Sequence, residues 1–262
     1  MGAAMRRLIS FPCAGETLFG SLDDAEGATG LLIVSGGNEI RAGAHRGMAL
    51  LAARLAADGI PVFRFDRRGI GDSSGVNNGF AGLRPDLKAA ITTFRQAAPH
   101  VKRVVAFGNC DAASALLLFD VGFYRLVLAN PWLGDDGDGM PSVDAIRARY
   151  ADRLKDPKTW ARALTGGVDF HKLMNGLKKL AANGSEDHAD LEQQLIEAWR
   201  RLPETTVLIA SGDVTGITFA AAAERAGLAD RLQFIDTDSH SFAREADQEK
   251  LIEALRAAVV AA

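Results

Sequence analysis

The sequence predicts an α/β fold: a mostly parallel central sheet flanked by helices, with one helical insertion. Short, almost wholly apolar runs recur at Leu31–Val34, Val62–Phe65, Val104–Phe107, Leu126–Ala129, Val207–Ala210 and Leu232–Ile235. Strands covered on both faces read this way. Helical stretches separate the runs, as parallel crossovers require. Between Asp135 and Pro203 the rhythm stops, and no strand pattern occurs.

Taken in order, Arg7–Phe11 and Thr17–Leu22 are extended segments separated by Pro12-Cys13-Ala14-Gly15, which reads as a hairpin with a short loop. Ala44–Ala57 is a helix ending at Asp58-Gly59, and Pro85–Ala98 is a helix with proline in its first turn. Ala112–Phe119, Phe219–Ala226 and Gln248–Val260 supply further helices. In the insertion, Val143–Leu154, Lys172–Ala182 and Leu191–Leu202 have amphipathic helical spacing, and Gly134-Asp135-Asp136-Gly137-Asp138-Gly139 opens it as a polar hinge. The expected organisation is a core from 1–134 and 204–262, with 135–203 as a helical cap whose apolar residues, Trp160, Phe170, Leu173, Met174 and Trp199 among them, line an acyl pocket or pack the cap itself.

With 48% apolar and 24% charged residues the chain can build a core, and a net charge of -3 gives no electrostatic footprint for nucleic acid or an anionic membrane. No run approaches the apolar length of a membrane span, and Met1 to Ser10 lacks the apolar stretch of a secretory signal, so the cytoplasm is the expected location. The two cysteines, Cys13 and Cys110, lie far apart and form no Cys-x-x-Cys motif.

Cys110 stands where a strand meets a helix, in Gly108-Asn109-Cys110-Asp111-Ala112 between Val104–Phe107 and Ala113-Ser114-Ala115-Leu116-Leu117. That context matches the nucleophile elbow, a strained turn with small neighbours that lifts a nucleophile above the sheet edge. Here cysteine replaces the usual serine, and Ala112 the second glycine. Most free cysteines are small buried hydrophobes. Against that reading stands the order of the partners, since Asp213 follows Val207–Ala210 and His240 follows Leu232–Ile235, giving the order nucleophile, acid, histidine. His240 would take the thiol proton while the acid holds the imidazole tautomer. Asp135 or Asp136, after the preceding strand, compete with Asp213 for the acid's place; Asp236 and Asp238 are candidates for shaping the histidine loop. His45, His100, His171 and His188 lack a comparable setting. An acyl-transfer site also needs donors for the oxyanion. The main-chain N–H of Asp111 is one, and the loop Ser35-Gly36-Gly37-Asn38-Glu39 offers a second at Gly37, or else Asn38. A plain glycine turn is the competing reading of that loop.

Together with Phe65-Asp66-Arg67-Arg68-Gly69-Ile70-Gly71-Asp72-Ser73, these blocks resemble the α/β-hydrolase superfamily in order and spacing over almost the whole chain. The Asp-x-x-Gly-x-Gly-x-Ser block looks like that superfamily's loop after its fourth strand, usually structural. More narrowly, the Cys-Asp-Ala-Ala-Ser-Ala elbow and the Gly-Gly-Asn loop resemble the type 1 hydrolases associated with bacterial exosortase A systems. The resemblance implies a cysteine-dependent hydrolase of an ester, lactone or thioester, similar in its nucleophile to dienelactone hydrolases. It implies a small-molecule acyl substrate and a genomic setting near polysaccharide and protein-sorting genes. An acyl carrier or an exosortase-system protein is the partner this reading would add. The triad itself needs neither cofactor nor metal. An acyltransferase with the same acyl-Cys110 intermediate, and a binding module that kept the fold without activity, are the alternatives.

Overall fold

The computed structural model describes residues 6–134, 186–202 and 204–260. Eight strands form one sheet: β1 (Arg6–Cys13), β2 (Glu16–Asp23), β3 (Thr29–Val34), β4 (Val62–Phe65), β5 (Arg103–Asn109), β6 (Arg125–Ala129), β7 (Thr205–Ala210) and β8 (Leu232–Ile235). Their spatial order is β1-β2-β4-β3-β5-β6-β7-β8. β2 is antiparallel to β1 and to β4, and every other neighbouring pair is parallel. This is the mostly parallel sheet that the apolar runs predict.

The strands alternate their side chains between two separate cores, as a pleat of period two demands. Leu32, Val34, Val104, Ala106, Val207 and Ile209 face one core; Leu31, Ile33, Val105, Phe107, Leu208 and Ala210 face the other. The helices are α1 (Gly47–Ala57), α2 (Arg84–Ala97), α3 (Asp111–Leu118), α4 (Glu186–Arg200), α5 (Val214–Arg225) and α6 (Glu245–Val260). The first core is covered by residues of α2, α3, α4 and α5, and the second by α1 and α6.

Three local features differ from the sequence expectation. The β1–β2 loop is only Ala14-Gly15, both at positive φ (51° and 87°), while Pro12 and Cys13 continue the ladder opposite Thr17 and Glu16. Two-residue hairpin turns favour that handedness because it matches strand twist. Pro12 is tolerated because β1 is an edge strand. The helix expected from Ala44 begins as a short turn, Ala44–Arg46, with His45 and Arg46 in the left-handed region before α1 starts at Gly47. Finally, α5 starts at Val214, ahead of the expected Phe219, because Asp213 caps it by accepting from the Gly216 N–H at 3.0 Å.

Residues 135–185 of the expected cap, with Asp135, Asp136, Trp160, Phe170, Leu173, Met174 and His171, lie outside the described residues. The last helix of that segment, α4, belongs to the first core. Leu195, Ile196 and Trp199 are buried there, and the Trp199 ring lies 5.6 Å from Phe219 and under the Arg231 guanidinium at 4.7 Å. Its apolar spacing was legible; what it packs against was not. Trp199→Ala should therefore lower the unfolding free energy by about 3–5 kcal/mol. Urea denaturation checks this, and wild-type stability would show α4 to be dispensable for the core.

Candidate active site

Only Cys110 separates β5 from α3, so a single residue must turn the chain from strand to helix. It does so at φ 60°, ψ −129°, a conformation that side-chain-bearing residues rarely adopt and that costs free energy. The surroundings enforce it. The Cys110 N–H donates to the Ala129 carbonyl at 3.0 Å, and the Cys110 carbonyl accepts from Ala113 N at 3.0 Å. A Cβ at Gly108 would sit 2.8 Å from Leu116 Cδ1 and 2.9 Å from the Ala112 carbonyl carbon. One at Gly36 would sit 2.6 Å from the Asn109 carbonyl oxygen. Small residues are thus required on both sides of the turn. Ala112 is fully buried and replaces the usual glycine without a break in α3.

The structure brings His240 and Asp213 to this turn. His240 Nδ1 lies 3.0 Å from Asp213 Oδ1, while Asp213 Oδ2 caps α5. Both carboxylate oxygens are therefore used, and the helix N-terminus is a favourable place for a negative charge. With Nδ1 committed, Nε2 is the ring nitrogen left for the thiol. The His240 pKa is raised from 6.5 to about 10 by its hydrogen bond to Asp213, then by that to Cys110, against the opposing effect of burial. Cys13 has the opposite character. It is buried against Asp86 at 3.4 Å, and burial first, then the Asp86 charge, push its thiol up to about 11.

The loop after β3 reaches the elbow, but not as a free donor. The Gly37 N–H donates to Asp111 Oδ1 at 2.6 Å, and Asp111 Oδ2 pairs with Arg67 Nη1 at 3.2 Å. Sequence reasoning used only the main chain of Asp111; its side chain occupies the donor expected at Gly37. Arg67 is buried, and its Nε and Nη2 have no partner among the described residues. The Asn38 side chain accepts from Asn77 Nδ2 at 3.0 Å. Asp236 accepts from Ser211 Oγ at 3.3 Å and Asp238 pairs with Arg244 at 2.6 Å, so both brace the histidine loop. His45 and His100 are exposed.

The sequence reading missed Asn130, at the end of β6. It is fully buried, has φ 43°, and contacts Asn109, Ala210 and His240. The available signal was Asn130-Pro131 directly after an apolar strand, a turn dipeptide in which asparagine tolerates positive φ.

A parallel-sheet protein with a strained cysteine elbow and a histidine–aspartate pair at adjoining strand ends has the layout of a hydrolase of the elbow type. The sequence matches the model of the Alpha/beta hydrolase family over residues 31–254, and the chain belongs to that family. No curated relative matches the sequence. Among solved structures, it is similar to the esterase Pf2001 of Pyrococcus furiosus (15% identity, TM-score 0.62, covering 96% of this chain and 90% of that one). The esterase EaEST of Exiguobacterium antarcticum is likewise similar (17% identity, TM-score 0.59, 95% and 98% covered). So is the alpha/beta hydrolase GrgF from Penicillium sp. sh18 (16% identity, TM-score 0.60, 97% and 98% covered). At these identities the likeness is one of fold.

Two stability measurements test the site's geometry. The folded protein holds the His240 proton that the unfolded chain releases above about pH 6.5. This contribution is complete below that pH and is lost as pH rises through about 10. Compared in a Cys110→Ala background, where no thiol gives up the proton that His240 holds, His240→Gln should therefore flatten the fall in stability between about pH 6.5 and 8, below the range where the unfolded Cys13 thiol titrates; an unchanged slope would show that the Asp213 pairing is not made. Asp111→Ala leaves the buried Arg67 cation unpaired and should cost about 3 kcal/mol in urea unfolding. Wild-type stability would mean that the Arg67–Asp111 pair does not form.

Proposed function

We propose that this protein is a cysteine-dependent hydrolase of esters, lactones or thioesters, with Cys110 as nucleophile, His240 as proton carrier and Asp213 as the acid that orients it. The observation that carries the reading is His240 shared between Asp213 and Cys110. In this reading His240 holds the proton that Cys110 gives up, so that the sulfur attacks as thiolate, the nucleophilic form, and the start of α3 favours the negative charge.

In the first half-reaction the Cys110 sulfur attacks the acyl carbon, the C–S bond forms and the carbonyl π pair moves to oxygen. Collapse expels the leaving group, which takes its proton from His240. In the second, His240 removes a proton from water, the hydroxide attacks the thioester, and collapse returns a carboxylic acid and the Cys110 thiolate with His240 again protonated. The oxyanion is held by the Asp111 N–H, at the first turn of α3 where helix N–H groups have no internal acceptor. The Gly37 N–H, the second donor the sequence suggests, donates to the Asp111 carboxylate at 2.6 Å.

The reading carries with it a small-molecule acyl substrate and a cytoplasmic location. It also places the protein with the exosortase-associated type 1 hydrolases, on the Cys-Asp-Ala-Ala-Ser-Ala and Gly-Gly-Asn blocks. No helix among the described residues is long and apolar enough to cross a membrane.

Turnover of an activated thioester tests the proposal. Cys110→Ala and His240→Ala should each abolish it, and Asp213→Asn should lower it by about 10⁴-fold through the wrong histidine tautomer. Full activity in Cys110→Ala ends the reading, and a loss on Asp135→Asn or Asp136→Asn with Asp213→Asn active moves the acid to the strand before. Independently of substrate, iodoacetamide at pH 7 should label Cys110 and spare Cys13, as peptide mapping will show.

A further inference from the structure

The carbonyl of His240 is gripped by two side-chain amides. Asn109 Nδ2 donates to it at 3.1 Å and Asn130 Nδ2 at 3.2 Å. Asn130 Nδ2 also lies 3.3 Å from Asn109 Oδ1, which ties the two amides together. The other end of Asn130 is equally engaged, since Oδ1 accepts from the Ala210 N–H at 2.8 Å. This network settles which way the Asn130 amide faces. Ala210 N–H can only donate and His240 carbonyl can only accept, so oxygen faces the first and nitrogen the second.

The places these groups occupy matter more than their number. Asn109 is the last residue of β5, immediately before the nucleophile; Ala210 is the last residue of β7, three positions before Asp213; His240 lies beyond β8. Asn130, just past β6, touches all three. It is fully buried and sits at φ 43°, a strained position for a residue with a side chain. Gly216, whose N–H fixes Asp213, packs so closely on it that a Cβ there would lie 2.6 Å from Asn130 Oδ1. A leucine of the same size would leave the His240 carbonyl and the Ala210 N–H without partners in a buried site, which is costly.

We infer that Asn130 and Asn109 are positioning residues that set the main chain of His240, and through it the ring, relative to Cys110 and Asp213. The inference rests on the catalytic reading given above. Neither amide reaches the reacting atoms; each acts through the backbone of the histidine. A displacement of about 1 Å in a catalytic group can cost about 10²-fold in rate. Loss of the clamp should therefore lower kcat far more than it changes KM.

The test uses Asn130→Gly, which permits the positive φ, and Asn109→Leu, which keeps the volume; neither introduces a charge. Among the described residues, the ionisable side chains in contact with the His240 ring are Asp213 and Cys110, while Asp236 and the Asp238–Arg244 pair brace its loop, and both variants leave all of them in place. For each folded variant, and for His240→Asn, the iodoacetamide labelling rate of Cys110 is followed across pH with Cys13 as internal standard, together with kcat and KM on an activated thioester. Both amide variants should move the Cys110 profile in the same sense as His240→Asn and lower kcat about 10²-fold with KM within about twofold. If His240→Asn moves the profile and both amide variants keep the wild-type one, the clamp inference is overturned and the catalytic reading stands. If His240→Asn leaves it unchanged, both fall together. Should Asn130→Gly fail to fold, Asn109→Leu decides the matter.

Discussion

One peptide unit at Cys110 has to change the chain from β5 to α3, and the site is arranged around the strained conformation this demands. Such strain persists only where neighbours over-determine it. Ala129 on β6 holds the Cys110 amide, α3 holds its carbonyl, and Gly36 brings the loop after β3 against the elbow. The strand ends that fix the turn are also the strand ends that carry the partner residues. Because the sheet is parallel through this region, their C-termini converge on one edge, and residues distant in sequence meet there.

The fold was legible because the runs at Leu31–Val34 and Val104–Phe107 bury both faces, a property that leaves a plain mark in composition. Leu232–Ile235 reads the same way, yet Phe234 is 60% exposed, since β8 is an edge strand and sequence does not say which strand lies outermost. Cys110, Asp213 and His240 stand out as candidates for another reason: each lies just beyond the end of a recognisable strand. Asn130 follows one too, but asparagine carries no chemistry that singles it out. Its role comes from contacts with Asn109, Ala210 and His240, all remote along the chain. The start of α5 was misjudged for a similar reason, because Asp213 caps a helix and faces His240 with the same carboxylate.

Asp111 shows how one side chain can complicate a familiar motif. Its main-chain N–H is at the helix start, where donors are free, while its carboxylate holds the Gly37 N–H and balances Arg67. The buried guanidinium gives that carboxylate a reason to stay where it is. The loop after β3 is consequently tied to the elbow by charge as well as by packing. Ser35-Gly36-Gly37 is small enough for this approach, which a bulkier loop could not make.

Among the described residues β1 and β8 are the edge strands of the sheet, and they are guarded differently. At the β8 side the edge is only four residues long, too short a template for pairing with another chain. The β1 side is twice that length and exposes Leu8 at 74%, which would invite strand addition. It opens, however, with Arg6 and Arg7, each tied to an aspartate, and carries Pro12, which has no N–H to offer, next to its last residue. Pro12 and the arginines that anchor the first strand thus make this antiparallel edge a poor template for a further strand.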